Sequence, residues 1–461
     1  MLKKVIVGIL CLIILAFTGV GIYIYTLDWN KHRSTVSQRL SQITGLNASI
    51  EGNLTIDFLP TPKVTAGQVK FYKPGTSIDP LIMINEVRAN LEFMPLLDNK
   101  FVITSMQLND AMVNIIVNEK GEVNWSNVKN NGISKSGNIE ASFSDVKLIN
   151  STIHYENLVN KKEFKIPNIS VSVSAPSLAG PYNTNGQFIH NGAEIKFNGN
   201  VINDDKTKIN MVINNPSTSS RINIEGTVGP EAEGIFTLDT ANLYELSNIV
   251  FGKDSINSIY DSPSYFSFKY KNIGDSYTFD NFTIKYGDNT VGTGNVSLQL
   301  SENKKLITSD FDMKKFDLDI IKNICNDYID FIKKGEKLAY SDYSGELSIK
   351  AKDSLLNGVG AQDLSLALSV SDGFVSIERF GINLPGDSSV KMVGKVNLDT
   401  LQYASNQYIK TSDLRVLASV FGIDLAKLAT DENKKSIFNN ASADIEISGD
   451  LNNFKFTIPN S

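Results

Sequence analysis

The residue types that carry most enzymatic chemistry are sparse in this chain and poorly spaced for it. His32, His154 and His190 fall in three separate segments. They form neither an H-x-x-x-H nor an H-E-x-x-H pair, so they supply no helical metal clamp. The two cysteines are Cys11, inside an apolar run, and Cys325, in a segment of helical periodicity. That placement sets aside an intrachain disulfide and leaves no zinc or redox spacing. There is no G-x-S-x-G, P-loop or dinucleotide fingerprint. Gly292-Thr-Gly294 leads into a strand pattern, the wrong context for a phosphate loop. Asp317, Asp319, Asp327 and Asp330 read as the solvated face of a helix. Triplets such as Asn124-Trp-Ser and Asn281-Phe-Thr follow from an Asn- and Ser-rich composition, not from glycosylation. The expectation is a protein without catalytic residues, metal or cofactor.

Composition narrows the class further. The chain has 461 residues, enough for two or three domains, with 41% hydrophobic and 20% charged residues. Its net charge of -6 argues against a nucleic-acid surface, which would be basic.

The elements that would position any site begin with an anchor. Val5–Tyr25 contains no charged residue. As a helix it spans roughly 30 Å, the thickness of a bilayer core. Lys3 and Lys4 precede it, Asp28, Lys31 and Arg33 follow it, and Tyr23 and Tyr25 sit where aromatic rings favour the interface. A cleaved signal peptide is the alternative, but the apolar run is too long and no small-x-small site closes it. The flanking Lys and Arg do not set the orientation. From Asp28 to Thr44 the stripe Val36, Leu40, Ile43 predicts a second helix, with Gly45 as its stop. It packs on the following sheet or lies on the membrane surface.

From Ala48 the period changes from 3.6 to 2. Strands are expected at Lys63–Tyr72, Leu81–Phe93, Phe101–Leu108, Met112–Val117, Phe164–Val173, Glu194–Val201, Lys208–Ile213 and Arg221–Val228. Further on they are expected at Tyr277–Tyr286, Thr290–Leu300, Leu306–Phe311, Tyr343–Ala351, Gly360–Val370, Gly373–Phe380 and Ser388–Leu398. Short closing strands fall at Ala443–Ile447 and Asn453–Ile458. Helices are expected at Thr240–Ile259, Met313–Leu338 (stripe Phe316, Ile320, Ile324, Tyr328, Phe331, Ile332) and Ser412–Leu428. Residues 129–137 read as a linker.

The first part of this series has a recognisable order. A membrane helix is followed by a helix ending in Thr44-Gly45, then a strand with Ile50-Glu-Gly52-Asn-Leu54, and then a break at Pro60-Thr-Pro62. A strand ending in Pro95-Leu96-Leu97 comes next, and a strand pair closes on Asn118-Glu-Lys-Gly121-Glu-Val-Asn124-Trp125. In this order and spacing the chain resembles the AsmA family of bacterial envelope proteins; beyond Asn127 the likeness is architectural. The resemblance implies an inner-membrane anchor with the body in the periplasm. It also implies kinship with TamB and with bridge-like lipid transfer proteins, which carry acyl chains along a hydrophobic β-groove, and a role in moving phospholipid toward the outer membrane and in its integrity. Many members are longer; ending at Ser461, this chain would be a short or split member, or one that works with partners.

The expected fold is therefore mainly β: an N-terminal transmembrane helix, then a long curved antiparallel β-sheet, groove-like, with a few helical insertions. The expected division is a cytoplasmic tail over 1–4, the membrane helix over 5–25 and a family-like region over 26–128. A groove region over 138–311 with a helical insertion at 240–259 follows, and a helix plus β region over 312–461.

Glycines recur in phase with the apolar side of strands. Ile195, Phe197, Gly199 and Val201 share one side, as do Ile222, Ile224, Gly226 and Val228. So do Val390, Met392, Gly394, Val396 and Leu398, and Ile445, Ile447, Gly449 and Leu451; Gly52 and Gly294 repeat the pattern. A glycine on the apolar side is expected to leave that side concave. Ile195, Phe197, Ile222, Ile224, Val390, Met392, Val396, Ile445 and Ile447 are the candidate lipid contacts. The expected partners are phospholipids, the inner membrane and other envelope proteins. Two readings compete with lipid transfer: ordinary sandwich cores in which the apolar faces cover one another, and a scaffold for outer-membrane proteins acting by strand addition. The scaffold would tolerate changes in the apolar rows, whereas lipid transfer would not.

Overall fold

The computed structural model describes residues 28–450 except 59–60, 93, 95–102, 121, 125–144, 160, 177–179, 230, 253–260, 302–303, 325–342 and 426–437. The anchor at 5–25, the linker at 129–137 and the closing strand at 453–458 lie outside the described residues. Among the described residues, no helix is long and apolar enough to cross a membrane. The chain divides into two compact units, Met1–Asp205 and Lys206–Ser461.

In the first unit, helix α1 (Arg33–Thr44) ends on Gly45 in the left-handed conformation (φ 70°), whose N–H donates to the Ser41 carbonyl. Only glycine takes that conformation without strain. Strands β1 (Asn47–Ile50) and β2 (Leu54–Asp57) both run antiparallel to β3 (Lys63–Tyr72). Ile50-Glu-Gly52-Asn-Leu54 is therefore not one strand but a break between two. A Cβ at Gly52 would lie 2.6 Å from the Gly67 carbonyl carbon, so the backbones approach too closely for any side chain. Val36 and Leu40 of α1 pack on the core formed by Leu54, Val69, Phe71 and Ile84. That covering places α1 on the sheet.

The sheet of this unit continues through β4 (Ile82–Leu91), β5 (Ile103–Val117), β6 (Asp145–Asn157), β7 (Lys162–Ser174), β8 (Tyr182–His190) and β9 (Ala193–Asn203). The expected pair Phe101–Leu108 and Met112–Val117 is one strand, β5. Asp110 is left-handed (φ 50°), yet the pairing with β4 and β6 keeps one register on either side of it. Gln68, Asn150 and Asn168 are left-handed in β3, β6 and β7, and the β6–β7 register shifts on either side of Ser151. The Asn150 side chain donates to the Asp110 carboxylate at 2.6 Å, so these two left-handed residues of β5 and β6 sit side by side.

The second unit runs through β10 (Thr207–Asn215), β11 (Ser220–Val228), β12 (Glu233–Thr240), helix α2 (Leu243–Phe251), β13 (Ser264–Ile273), β14 (Ser276–Tyr286) and β15 (Thr290–Leu300). It continues with β16 (Lys305–Asp317), β17 (Tyr343–Leu356), β18 (Val359–Ser371), β19 (Phe374–Leu384), β20 (Ser388–Asn397), β21 (Gln402–Asp413), helix α3 (Leu414–Val420) and β22 (Asn439–Asp450). The architecture is mainly β, as expected, but the sheet is mixed. The pairs β5–β6 and β16–β17 are parallel, and every other strand pair within the units is antiparallel. The helix expected from Met313 is a correction. Residues through Asp317 are strand, with Phe316 opposite Ser354 of β17, and helix occupies 319–324 of the described residues. Helices α2 and α3 are shorter than expected. Each begins behind an Asx cap: Asn242 accepts from the Glu245 N–H, and Asp413 from the Arg415 N–H.

Candidate functional site

Strand alternation in the second unit sorts side chains onto two unlike faces. On one face Met211, Ile224, Phe236 and Phe268 stand opposite one another across β10–β13. The same face continues through Phe282, Gly294, Phe311 and Ile349, and then Leu366, Phe380 and Met392. A second row runs Ile213, Ile222, Leu238, Phe266 and Ile284. On the other face, Asn223, Thr237, Ser267 and Thr283 stand between these rows, and Arg221, Glu225, Asp239, Lys269 and Lys285 flank them. Charge is thus confined almost entirely to one side.

The middle of the apolar face is aromatic. Phe268 stacks on Phe236 and on Phe282, each with centroids 4.9 Å apart, and meets Phe279 edge-on at 5.3 Å. Phe282 meets Phe311 at 6.2 Å, and Phe266 meets Phe282 at 6.5 Å. Phe279 and Phe282 are three apart in sequence yet reach the same side, because a bulge at Asp280-Asn281 intervenes, with Asn281 left-handed (φ 53°). Their rings remain partly exposed among the described residues.

The glycines on this face act as seats. A Cβ at Gly294 would collide with the Phe311 ring and one at Gly292 with the Met313 sulfur; Tyr270 Oη lies 2.7 Å from a Cβ on Gly226. Each absent side chain lets a large neighbour lie flat against the sheet. The concavity expected from these glycines is filled by that neighbour. In the first unit the Phe197 ring occupies the space over Gly186 in the same way.

Helical segments follow the strand ends along one long rim of the face. Thr240, Asp317 and Asp413 end their strands there, and α2, the helix at 319–324 and α3 follow them. Buried hydroxyls pair along this rim: Ser220 with Thr240 at 2.7 Å, and Ser388 with Thr411 at 2.7 Å. Under α3, Leu417 and Val420 cover Met313, Leu364 and Ile382, so that corner is a true core. Tyr270 adds a hydroxyl inside the aromatic stretch; burial pushes its pKa up, and its Oη donates to the Thr227 carbonyl at 3.4 Å.

Of the residues singled out by sequence, Ile222, Ile224, Val390, Met392, Val396, Ile445 and Ile447 share this face. Ile447 is buried. Leu398 falls in a turn beyond β20, and Leu451 lies outside the described residues. Ile195 and Phe197 belong to the first unit, where Ile195 is buried opposite Phe188 and Phe197 shares a row with Val171, Leu148 and Leu108. Sequence periodicity passed over the phenyl rings, since Phe236, Phe266 and Phe268 lie in strands it did not single out and the Phe279/Phe282 bulge breaks the period of two.

The family-motif positions are structural wherever they are described. Asn118 Oδ1 accepts from the N–H groups of Lys120 and Glu122, closing the turn. Asn124 bonds the Ile116 N–H and the Asn114 carbonyl through its side chain, extending the ladder. Pro62 is fully buried and its carbonyl accepts from the Leu91 N–H. Pro60, Pro95, Leu96, Leu97, Gly121 and Trp125 lie outside the described residues. His154 is held between Asn114 and Glu163 (3.3 and 3.0 Å), and Lys165 completes the cluster at 3.0 Å, holding the Glu163 carboxyl below its usual pKa. No group of three potential metal ligands occurs among the described residues.

The model of the AsmA family matches residues 1–243. No curated protein and no solved structure matches the chain.

Proposed function

The chain belongs to the AsmA family, and from that premise we propose that it is a non-enzymatic envelope protein, anchored in the bacterial inner membrane by residues 5–25, that carries phospholipid along an apolar β-groove in the periplasm and so supports the outer membrane. The observation that carries this reading is the long apolar face of the second unit, whose touching phenyl rings stay partly exposed. Exposed apolar surface on this scale marks a binding site rather than a finished core. An acyl chain laid there gains about 0.8 kcal/mol per sheltered CH₂, which lowers the cost of crossing water without a nucleophile or a nucleotide.

The test is native mass spectrometry with lipid extraction on the full chain. Phospholipid should co-purify with the parent and be lost with Ile224→Asp, whose carboxylate would lie between Met211 and Phe236. A folded variant that loads lipid like the parent would show that this row does not touch cargo. A lipid-free parent would turn attention to the scaffold reading and to protein partners.

A further inference from the structure

The apolar face of the second unit is almost free of charge, and the exception is informative. Taking the register of β10–β22 strand by strand, two charged residues among the described ones stand on the side of the phenyl rings. One is Asp413, at the extreme end of β21, where it caps α3 and pairs with Arg415 at 2.8 Å. The other is Lys305, at the start of β16, opposite Leu300 of β15 and Tyr343 of β17. It lies on the rim opposite the helices and the paired hydroxyls. Two residues further along β16, on the same side, Ile307 is 39% exposed and faces Leu298.

Lys305 has no carboxylate within ion-pair distance among the described residues; its neighbour Lys304 takes Asp372 at 3.3 Å. Its Nζ donates to Tyr343 Oη at 3.2 Å and rests 4.7 Å from that ring's centroid. An ammonium group has three donors, so two remain. The contact with the ring steadies the charge without neutralising it. An unneutralised cation at the lip of an apolar floor suits an amphiphile whose anionic group sits at the end of its hydrocarbon.

We propose that Lys305, steadied by Tyr343, takes the phosphate of a lipid whose acyl chains lie over the phenyl rings, so that headgroups leave the groove at the rim away from the helices. This rests on the lipid-groove reading above. The experiment is competitive loading of the full chain from vesicles holding equal amounts of dioleoylphosphatidic acid and dioleoylglycerol, which share chains and differ in the phosphate. Bound lipid is extracted and the ratio of the two measured. The parent should favour the phosphate-bearing lipid, Lys305→Gln should lower the ratio about fivefold, and Lys305→Arg should keep it. A Lys305→Gln ratio equal to the parent's overturns the proposal. A parent that loads both lipids without preference also overturns it while leaving the groove standing; a parent that loads neither overturns both. Excess inorganic phosphate that abolishes the preference would assign the site to the free anion and likewise overturn it.

Discussion

Replacing Gly294 by valine separates what local propensity expects from what packing demands. Valine is a far better strand former than glycine, and relief of glycine's backbone freedom alone would stabilise β15 by about 0.5–1 kcal/mol. The structure gives the opposite sign. A Cβ at Gly294 would stand 2.9 Å from Phe311 Cε1, with Cδ1 of the same ring and the Asp310 carbonyl oxygen closer still. Carbon atoms need roughly 3.5–4.0 Å. The ring cannot swing away freely, because it stands edge-on to Phe282 at 6.2 Å. Overpacking of this kind costs about 1–3 kcal/mol, so the net effect is a loss of about 1–2 kcal/mol, or a fall in Tm of about 3–6 °C. The assay is thermal unfolding of the full chain, parent against Gly294→Val. Measured in a Phe311→Ala background, the penalty should shrink, since the ring and the valine share one space, but not vanish, since the Asp310 carbonyl oxygen stays. An unchanged or raised Tm for Gly294→Val would refute the idea that the glycine is a seat for the ring.

The bulges give a second series. Asn281→Val should cost about 1–2 kcal/mol, because a branched side chain resists the left-handed conformation, while Asn281→Gly should stay within about 0.5 kcal/mol; thermal unfolding distinguishes them. Gly52→Ala should destabilise the first unit by about 1–3 kcal/mol through its collision with the Gly67 backbone, detectable as faster limited proteolysis around α1. For pH, the hydrogen bond from Arg415, outweighing a smaller opposing effect of burial, holds the Asp413 carboxyl below its ordinary pKa of 3.8. Its contribution is therefore fully present above that ordinary value and lost as pH falls through the lowered one. The Tm difference between parent and Asp413→Asn should be constant from pH 7 to about pH 5 and shrink below pH 4; an unchanged difference at pH 3 would contradict the pairing.

Sequence periodicity located the strands well where the period of two ran unbroken, and Thr290–Leu300 coincides with β15. It stumbled where the backbone left that period. Asp110 looks like a turn residue, and nothing in one sequence says that the strand continues past it; Tyr277–Tyr286, by contrast, is expected to run on through Asn281, and β14 does so. Register and pairing resolve the first case, because both neighbouring strands keep their partners in one register on either side of Asp110. The stretch from Met313 failed for a related reason. Its apolar residues fit a helical stripe, but Met313 and Phe316 face a parallel partner, β17, that returns only after a long connection. For the candidate site, the in-phase glycines were legible and their role was not. A seat is defined by the ring across from it, and Gly294 meets Phe311 only through pairing. Lys305 alternates in phase with Ile307, Phe311 and Met313, a signal present in the sequence, but only the sheet shows that so few other charges join it on that side.

The most direct measurement places a photo-crosslinking side chain at Phe282 and, in a separate variant, at Thr283 in living cells. The two residues are adjacent in β14, and alternation sends them to opposite faces. The account predicts a phospholipid adduct from position 282 and none from position 283. Equal adducts at the two positions, or none at 282 in a folded protein, would contradict the claim that this face carries lipid.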